Sequence, residues 1–210
     1  MNKIIFCDKN KELVKKVKKV FEKEKNNTHC ELVVSEYSDV LKTKKKYPNA
    51  KIITASNHDF TMSGGLDSLL KKTYAEQCSY PREFLLTNDL FFTISVDKEL
   101  KANEYEMMRV MFGAYMCSRK NDIILTGIGT GIGQLPEDDF IRYLTRLINS
   151  DFSNSNFRNS DFSYSDFRNS DFSYSNFRDS DFRDSDFSNS NFYKSNSYEH
   201  QLGNAYLYDS

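Results

Sequence analysis

The stretch that decides the architecture of the last quarter of the chain opens Ser150-Asp151-Phe152-Ser153-Asn154, Ser155-Asn156-Phe157-Arg158-Asn159, Ser160-Asp161-Phe162-Ser163-Tyr164. The same five-residue unit continues to Lys194, with phenylalanine at Phe152, Phe157, Phe162, Phe167, Phe172, Phe177, Phe182, Phe187 and Phe192. Nine of the 17 phenylalanines of the 210-residue chain therefore fall in this segment, and a tenth unit decays at Ser195-Asn196-Ser197. Serine stands two places before each ring, and Asp or Asn one place before. A period of five fits neither an α-helix at 3.6 nor a strand at 2. A helix would distribute the rings around its circumference and expose most of them. A backbone that turns a corner every five residues puts all of them inside.

This arrangement resembles the pentapeptide-repeat family. The resemblance implies a short right-handed quadrilateral β-helix over 150–199, with four units per coil and a C-terminal cap or tail at 200–210. It also implies that the phenylalanines and the serines point inward, while the Asp/Asn position and the last two positions face solvent. The alternative is a disordered low-complexity tail, because Ser, Asn and Asp dominate the composition. Just over two coils would need covering at both ends. The closing helix of the preceding domain is expected at one end. Tyr198–Tyr208 or a second copy of the chain, as a homodimer, is expected at the other.

Working upstream, residues 1–149 alternate strand and helix patterns, which predicts an α/β domain with the sheet between helical layers. Ile4–Cys7, Glu31–Val34, Lys51–Ala55, Phe91–Val96 and Ile123–Thr126 read as strands. Asn10 is placed to cap a helix reaching Glu24, with Leu13, Val14, Val17, Val20 and Phe21 on one face. Leu66–Ala75, Glu104–Arg119 and Asp138–Asn149 read as further helices. The lysines of the first helix and Lys44-Lys45-Lys46 read as solvated faces.

Two glycine runs follow strands. Thr54-Ala55-Ser56-Asn57 leads to Ser63-Gly64-Gly65-Leu66-Asp67, and the last strand runs into Gly127-Ile128-Gly129-Thr130-Gly131-Ile132-Gly133. Backbone amides at a glycine-rich helix start attract phosphate, and two such loops at strand ends suit a diphosphate. Neither has P-loop or Rossmann spacing. Together, and in this order, they resemble the macro domain, an ADP-ribose-binding α/β/α module. The match is closest to the subgroup with a Gly-x-Gly-Thr-Gly-x-Gly late loop, found in viral and microbial proteins. The resemblance covers about residues 30–148. It implies that Asp39, in Ser38-Asp39-Val40, accepts from the adenine amino group. Ser63, Gly64 and Gly65 would approach the sugar-phosphate. Gly129, Thr130, Gly131, Ile132 and Gly133 would wrap the diphosphate through backbone N–H groups. Asn57 and Asp67, ten positions apart, match a pair that flanks the distal ribose in the ADP-ribosyl-hydrolase branch, where the carboxylate helps position a water. The chain departs from the family pattern at Thr54, where Asn is usual, and at Met62-Ser63, where glycines are common.

Composition bounds the rest. There are 29 Lys+Arg against 30 Asp+Glu, for a net charge of −1, which gives no global reason to expect nucleic acid or acidic lipid. Cys7, Cys30, Cys78 and Cys117 lack metal-ligand spacing, and His29, His58 and His200 share no motif, so no metal or cofactor is expected. No signal peptide or membrane span is evident, and a cytoplasmic protein with reduced thiols is expected. Some pentapeptide-repeat proteins mimic duplex DNA with an acidic surface. Here eight aspartates are interspersed with four arginines and Lys194, which argues against DNA as the mimicked partner. Three functions follow: hydrolysis of ADP-ribosyl linkages, binding of ADP-ribose or an ADP-ribosylated macromolecule without chemistry, and non-enzymatic assembly through the repeat.

Overall fold

The structure, a computed structural model, describes residues 1–57, 59, 61–62, 65–79, 85–96, 101–131, 133–157, 167–178, 180, 182 and 185–196. The chain divides into two compact units, Met1–Thr145 and Arg146–Ser210.

In the first unit the strands are β1 (Lys3–Phe6), β2 (Glu31–Val34), β3 (Lys51–Asn57), β4 (Leu90–Val96) and β5 (Ile123–Leu125). The helices are α1 (Lys11–Glu24), α2 (Val40–Lys46), α3 (Gly65–Thr73), α4 (Glu104–Ser118) and α5 (Glu137–Ile148), the last running into the second unit. All strand pairs are parallel, in the order β2-β1-β5-β3-β4. Parallel neighbours need crossovers, so every strand is followed by a helix. Right-handed crossovers put α2 and α3, which carry the chain one way across the sheet, on one face, and α1 and α4 on the other. The cores agree. Val40 of α2 and Leu70 of α3 bury against Ile5, Ile52, Phe92 and Ile124. On the other face Phe6 meets Phe140 of α5, with ring centroids 5.9 Å apart. Strands covered on both sides read as unbroken apolar runs, and Ile4, Ile5, Phe6, Ile123, Ile124 and Leu125 are all fully buried.

The helix starts are capped as their sequences require. Asn10 Oδ1 accepts from the Glu12 and Leu13 amides, and Leu13, Val17 and Phe21 of α1 face the sheet. Asp39 Oδ1 accepts from the Leu41 and Lys42 amides at 2.9 and 3.0 Å, which starts α2. Sequence periodicity does not announce this seven-residue helix. One of its lysines departs from the expected solvated face. Lys44 is only 7% exposed and donates to Pro48 O, Ala50 O and Asp89 Oδ1 at 2.7, 2.7 and 2.8 Å. It ties the end of α2 to the entries of β3 and β4.

In the second unit α5 ends in a left-handed Ser150 (φ 55°), with Ser150 N–H donating to Leu147 O and Asp151 N–H to Arg146 O. This is the double-bonded helix stop usually built on glycine. From there the backbone returns into parallel register every twenty residues: Asp151 pairs with Asp171 and Asp171 with Asn191, Asn156 with Asn176 and Asn176 with Asn196. Rings one turn apart stack face to face. Phe152–Phe172, Phe157–Phe177, Phe167–Phe187 and Phe172–Phe192 have centroids 4.7 to 5.7 Å apart. Rings in consecutive units, such as Phe167–Phe172 and Phe172–Phe177, meet edge to face. Both geometries suit the aromatic quadrupole, and burying each ring is worth about 2 kcal/mol.

The other positions of the unit have equally local reasons. Each inward serine hydroxyl joins two turns. Ser175 Oγ donates to Phe152 O at 2.8 Å and accepts from Ser155 N–H at 3.0 Å. Ser190 repeats the bond to the Ser170 amide. Each described Asp or Asn folds back on the amide two residues ahead, as Asp151, Asp171, Asn176, Asp186 and Asn191 do at 2.8 to 3.1 Å. The residue two after the ring is left-handed (Asn154, Asn169, Tyr174, Asn189, Lys194), which explains the asparagines there.

Candidate functional site

The topology picks out one edge of the sheet. From β1 the chain moves outward to β2, from β3 it moves outward the other way to β4, and β5 returns between them. Where successive connections leave in opposite directions, the carboxyl ends of the strands open a crevice. The segments that leave β1, β5 and β3 there carry Asp8, the glycine loop and Asn57.

Asp67 lies in the first turn of α3, two residues after a left-handed Gly65 (φ 52°). Its Oδ1 accepts from Thr54 Oγ1 at 2.7 Å. Thr54 and Ser56 of β3 are fully buried, and alternation places them on the same side of the strand. Burial pushes the Asp67 carboxyl above its usual range, and the Thr54 and Ser56 hydroxyls pull it part of the way back. A partly buried carboxylate with a raised pKa beside hydroxyl donors is equipped to accept a proton. Thr54 therefore has a positive role at the place where Asn is the family norm.

Asn57 organises its own loop. Its Nδ2 donates to Thr61 Oγ1 at 2.8 Å and its Oδ1 accepts from the Thr61 amide at 3.0 Å. Ser56 Oγ donates to the same Oδ1 at 3.5 Å, so Ser56 stands between Asn57 and Asp67. Asp39 is engaged as the cap of α2, after the edge strand β2. Ser63, Gly64 and Ile132 lie outside the described residues; Gly65 is exposed.

The glycine loop is held internally. Gly127 N–H donates to Asp8 Oδ2 at 2.8 Å, and Thr130 Oγ1 donates to Gly127 O at 2.7 Å. Leu135 N–H reaches Gly129 O, Gln134 N–H reaches Gly131 O, and Ala102 N–H reaches Gly133 O. The N–H groups of Gly129 and Gly131 have no acceptor among the described residues. The glycines differ in why they are glycine. A Cβ on Gly127 would lie 2.5 Å from Leu13 Cδ2 and 2.9 Å from Thr130 Oγ1, and Gly129 is left-handed (φ 81°) with Met107 Sδ 3.0 Å from its missing Cβ. Gly131 has neither a left-handed backbone nor any atom within 4 Å of a built Cβ. The chain's own packing does not require glycine there.

The cysteines offer no nucleophile. All four are free and buried, and burial pushes the thiols of Cys7 and Cys30 up to about 11 and that of Cys117 up to about 12. Among the described residues no cluster of three His, Cys, Asp or Glu could hold a metal, and no helix is long and apolar enough to cross a membrane. Sequence reasoning missed Asp8 and the Thr54–Asp67 pair. The available signals were an acid immediately after a buried strand, and polar residues at alternate positions of an otherwise apolar one.

Comparison with known proteins identifies the second unit's repeat and leaves the first unit without a match. The model of the family "Pentapeptide repeats" matches residues 145–173 and 160–196, with eight copies. No macro-domain model matches the chain. No curated protein and no solved structure matches it.

Proposed function

We propose that residues 1–149 form a macro-like three-layer α/β/α domain that binds ADP-ribose or an ADP-ribosyl conjugate, beside a right-handed quadrilateral β-helix built from the pentapeptide repeats. Gly131 carries the reading: it is a glycine that neither backbone conformation nor internal packing demands, next to an N–H with no described acceptor. A ligand that presses against the backbone supplies the missing reason, and a diphosphate fits a run of amide donors at a topological switch point. Asp39, Ser63, Gly64, Gly65, Thr130, Ile132 and Gly133 complete the proposed contacts. Calorimetric titration of the full chain with ADP-ribose tests the proposal, and absence of heat at millimolar ligand sinks it.

Hydrolysis of the ADP-ribosyl linkage is assigned to Asp67 as the group that takes a proton from water, with Asn57 orienting the distal ribose. Its support is the raised carboxyl pKa beside Thr54 and Ser56. Release of ADP-ribose from a modified protein is compared between the intact chain and Asp67→Ala; equal rates remove Asp67 from the mechanism.

A second reading makes the repeat the working part, in an interaction or assembly protein, as monomer or homodimer. One observation favours it. Tyr174 and Tyr193 are 52% and 57% exposed, pack edge to face, and lie under Lys194, although Tyr174 and Lys194 occupy left-handed positions that suit asparagine better. Duplex-DNA mimicry is not favoured, since the described aspartates of the unit are spent on turns. A cytoplasmic location fits the four free, buried thiols.

A further inference from the structure

We infer that Asp8 is a positioning residue for the glycine loop, a clamp that fixes which backbone amides the loop offers to its ligand. The inference rests on the reading of that loop as a diphosphate cradle. The geometry is its own argument. Asp8 directly follows the β1–β5 pairing, in which Phe6 lies opposite Leu125 and Cys7 N–H donates to Leu125 O at 3.0 Å. Its two carboxylate oxygens are used separately. Oδ1 accepts from the Asn10 amide at 2.8 Å and fixes the turn into α1. Oδ2 accepts from the Gly127 amide at 2.8 Å and fixes the exit from β5. The approach is close enough that a Cβ on Gly127 would lie 3.0 Å from Oδ2.

Only a carboxylate bridges two amides in this way. An asparagine offers one oxygen, and its NH2 group would face the other N–H; a serine has a single oxygen. The same turn also holds the far end of the loop. Asn10 Nδ2 donates to Glu137 Oε1 at 2.6 Å, and Lys16 pairs with Glu137 and Asp138 at 3.1 and 2.7 Å, all in the first turn of α5. Both the entry and the exit of residues 127–136 are thus anchored to the β1–α1 connection. Gly127 N–H is consumed by the protein, so the donors left for a ligand begin at Gly129.

Asp8→Asn, in the full chain, is the near-isosteric test. Amide hydrogen exchange at Gly127 and Gly129 is expected to accelerate at least tenfold while exchange at Ile124, in β5, stays within twofold. The affinity for ADP-ribose is expected to fall at least tenfold. Unchanged exchange at Gly127, acceleration of Ile124 to the same extent, or an unchanged affinity would overturn the inference. If the wild-type chain takes no ADP-ribose, the functional reading fails and exchange alone decides the clamp. Should Asp8→Asn not fold, the wild type still decides: a scalar coupling across the hydrogen bond, from the Gly127 amide nitrogen to the Asp8 carboxylate carbon, is expected, and its absence overturns the clamp.

Discussion

Substituting Gly131 by alanine separates what the loop needs in order to fold from what it needs in order to bind. A Cβ at 131 meets no atom within 4 Å, and the backbone there is not left-handed. Folding is therefore expected to tolerate the change. Alanine restricts the unfolded chain, a gain of about 0.4–1 kcal/mol. In a chain of this size that raises Tm by roughly 1–4 °C. Binding should respond in the opposite direction. The new methyl stands beside an N–H proposed to donate to a phosphate oxygen, and losing one charged hydrogen bond costs about 1.5–3 kcal/mol, a tenfold to hundredfold loss of affinity. Gly127→Ala is the control. Its Cβ would meet Leu13, Thr130 and Asp8 at 2.5 to 3.0 Å, and overpacking of this kind destabilises by about 1–3 kcal/mol. Calorimetry with ADP-ribose and thermal unfolding of each variant read the two effects independently. Wild-type affinity in a folded Gly131→Ala protein would refute the proposed contact, and unfolding of that variant would refute the argument from open space.

Asp67→Asn is expected to stabilise the chain at neutral pH. The folded-state pKa of Asp67 is raised, so the folded protein binds the proton more tightly than the unfolded chain does, and stability falls as pH rises from the usual carboxylate range through the raised value. The variant's advantage in Tm at pH 7 should vanish below about pH 4, and a less stable variant at pH 7 would contradict the burial argument. Ser175→Ala removes a donor from Phe152 O and an acceptor from Ser155 N–H inside the repeat, and a loss of about 2–4 kcal/mol is expected in thermal unfolding. Asn154→Ala should cost about 1 kcal/mol because residue 154 is left-handed, whereas Asn154→Gly should cost little, as measured by Tm. Lys44→Met leaves Asp89 and two backbone carbonyls without this partner, and destabilisation of about 3 kcal/mol is expected in denaturant unfolding.

Much of the fold was legible in the sequence because its signals are local. The β2 strand at Glu31–Val34 and the Asn10-capped α1 follow from apolar patterning and cap chemistry, and the ring at every fifth residue leaves few alternatives. The α2 helix was not legible. Its seven residues, four of them lysine, are too short for a periodic face, and its cap Asp39 carries the same sequence signal as a ligand-binding aspartate. Lys44 inside a core contradicts the ordinary behaviour of lysine, and only the three oxygens gathered around it explain it. Strand order was not legible either, since the pairing of β1 with β5 joins residues more than a hundred positions apart. The Asp8–Gly127 bond depends on that pairing. Gly127, Gly129 and Gly131 look alike in sequence, and only the space around each missing Cβ distinguishes them.

The return of the repeat into register every twenty residues gives it a directional arithmetic. Removing or inserting one five-residue unit preserves every inward ring and serine, yet rotates everything beyond it by a quarter turn about the long axis. Removing four units changes length and leaves direction untouched. Tyr174 and Tyr193 share a side of the structure only because the number of units between them brings their positions into line. For this segment, duplication or loss of a single pentapeptide acts as a rotary dial: it re-aims a surface without a single core substitution.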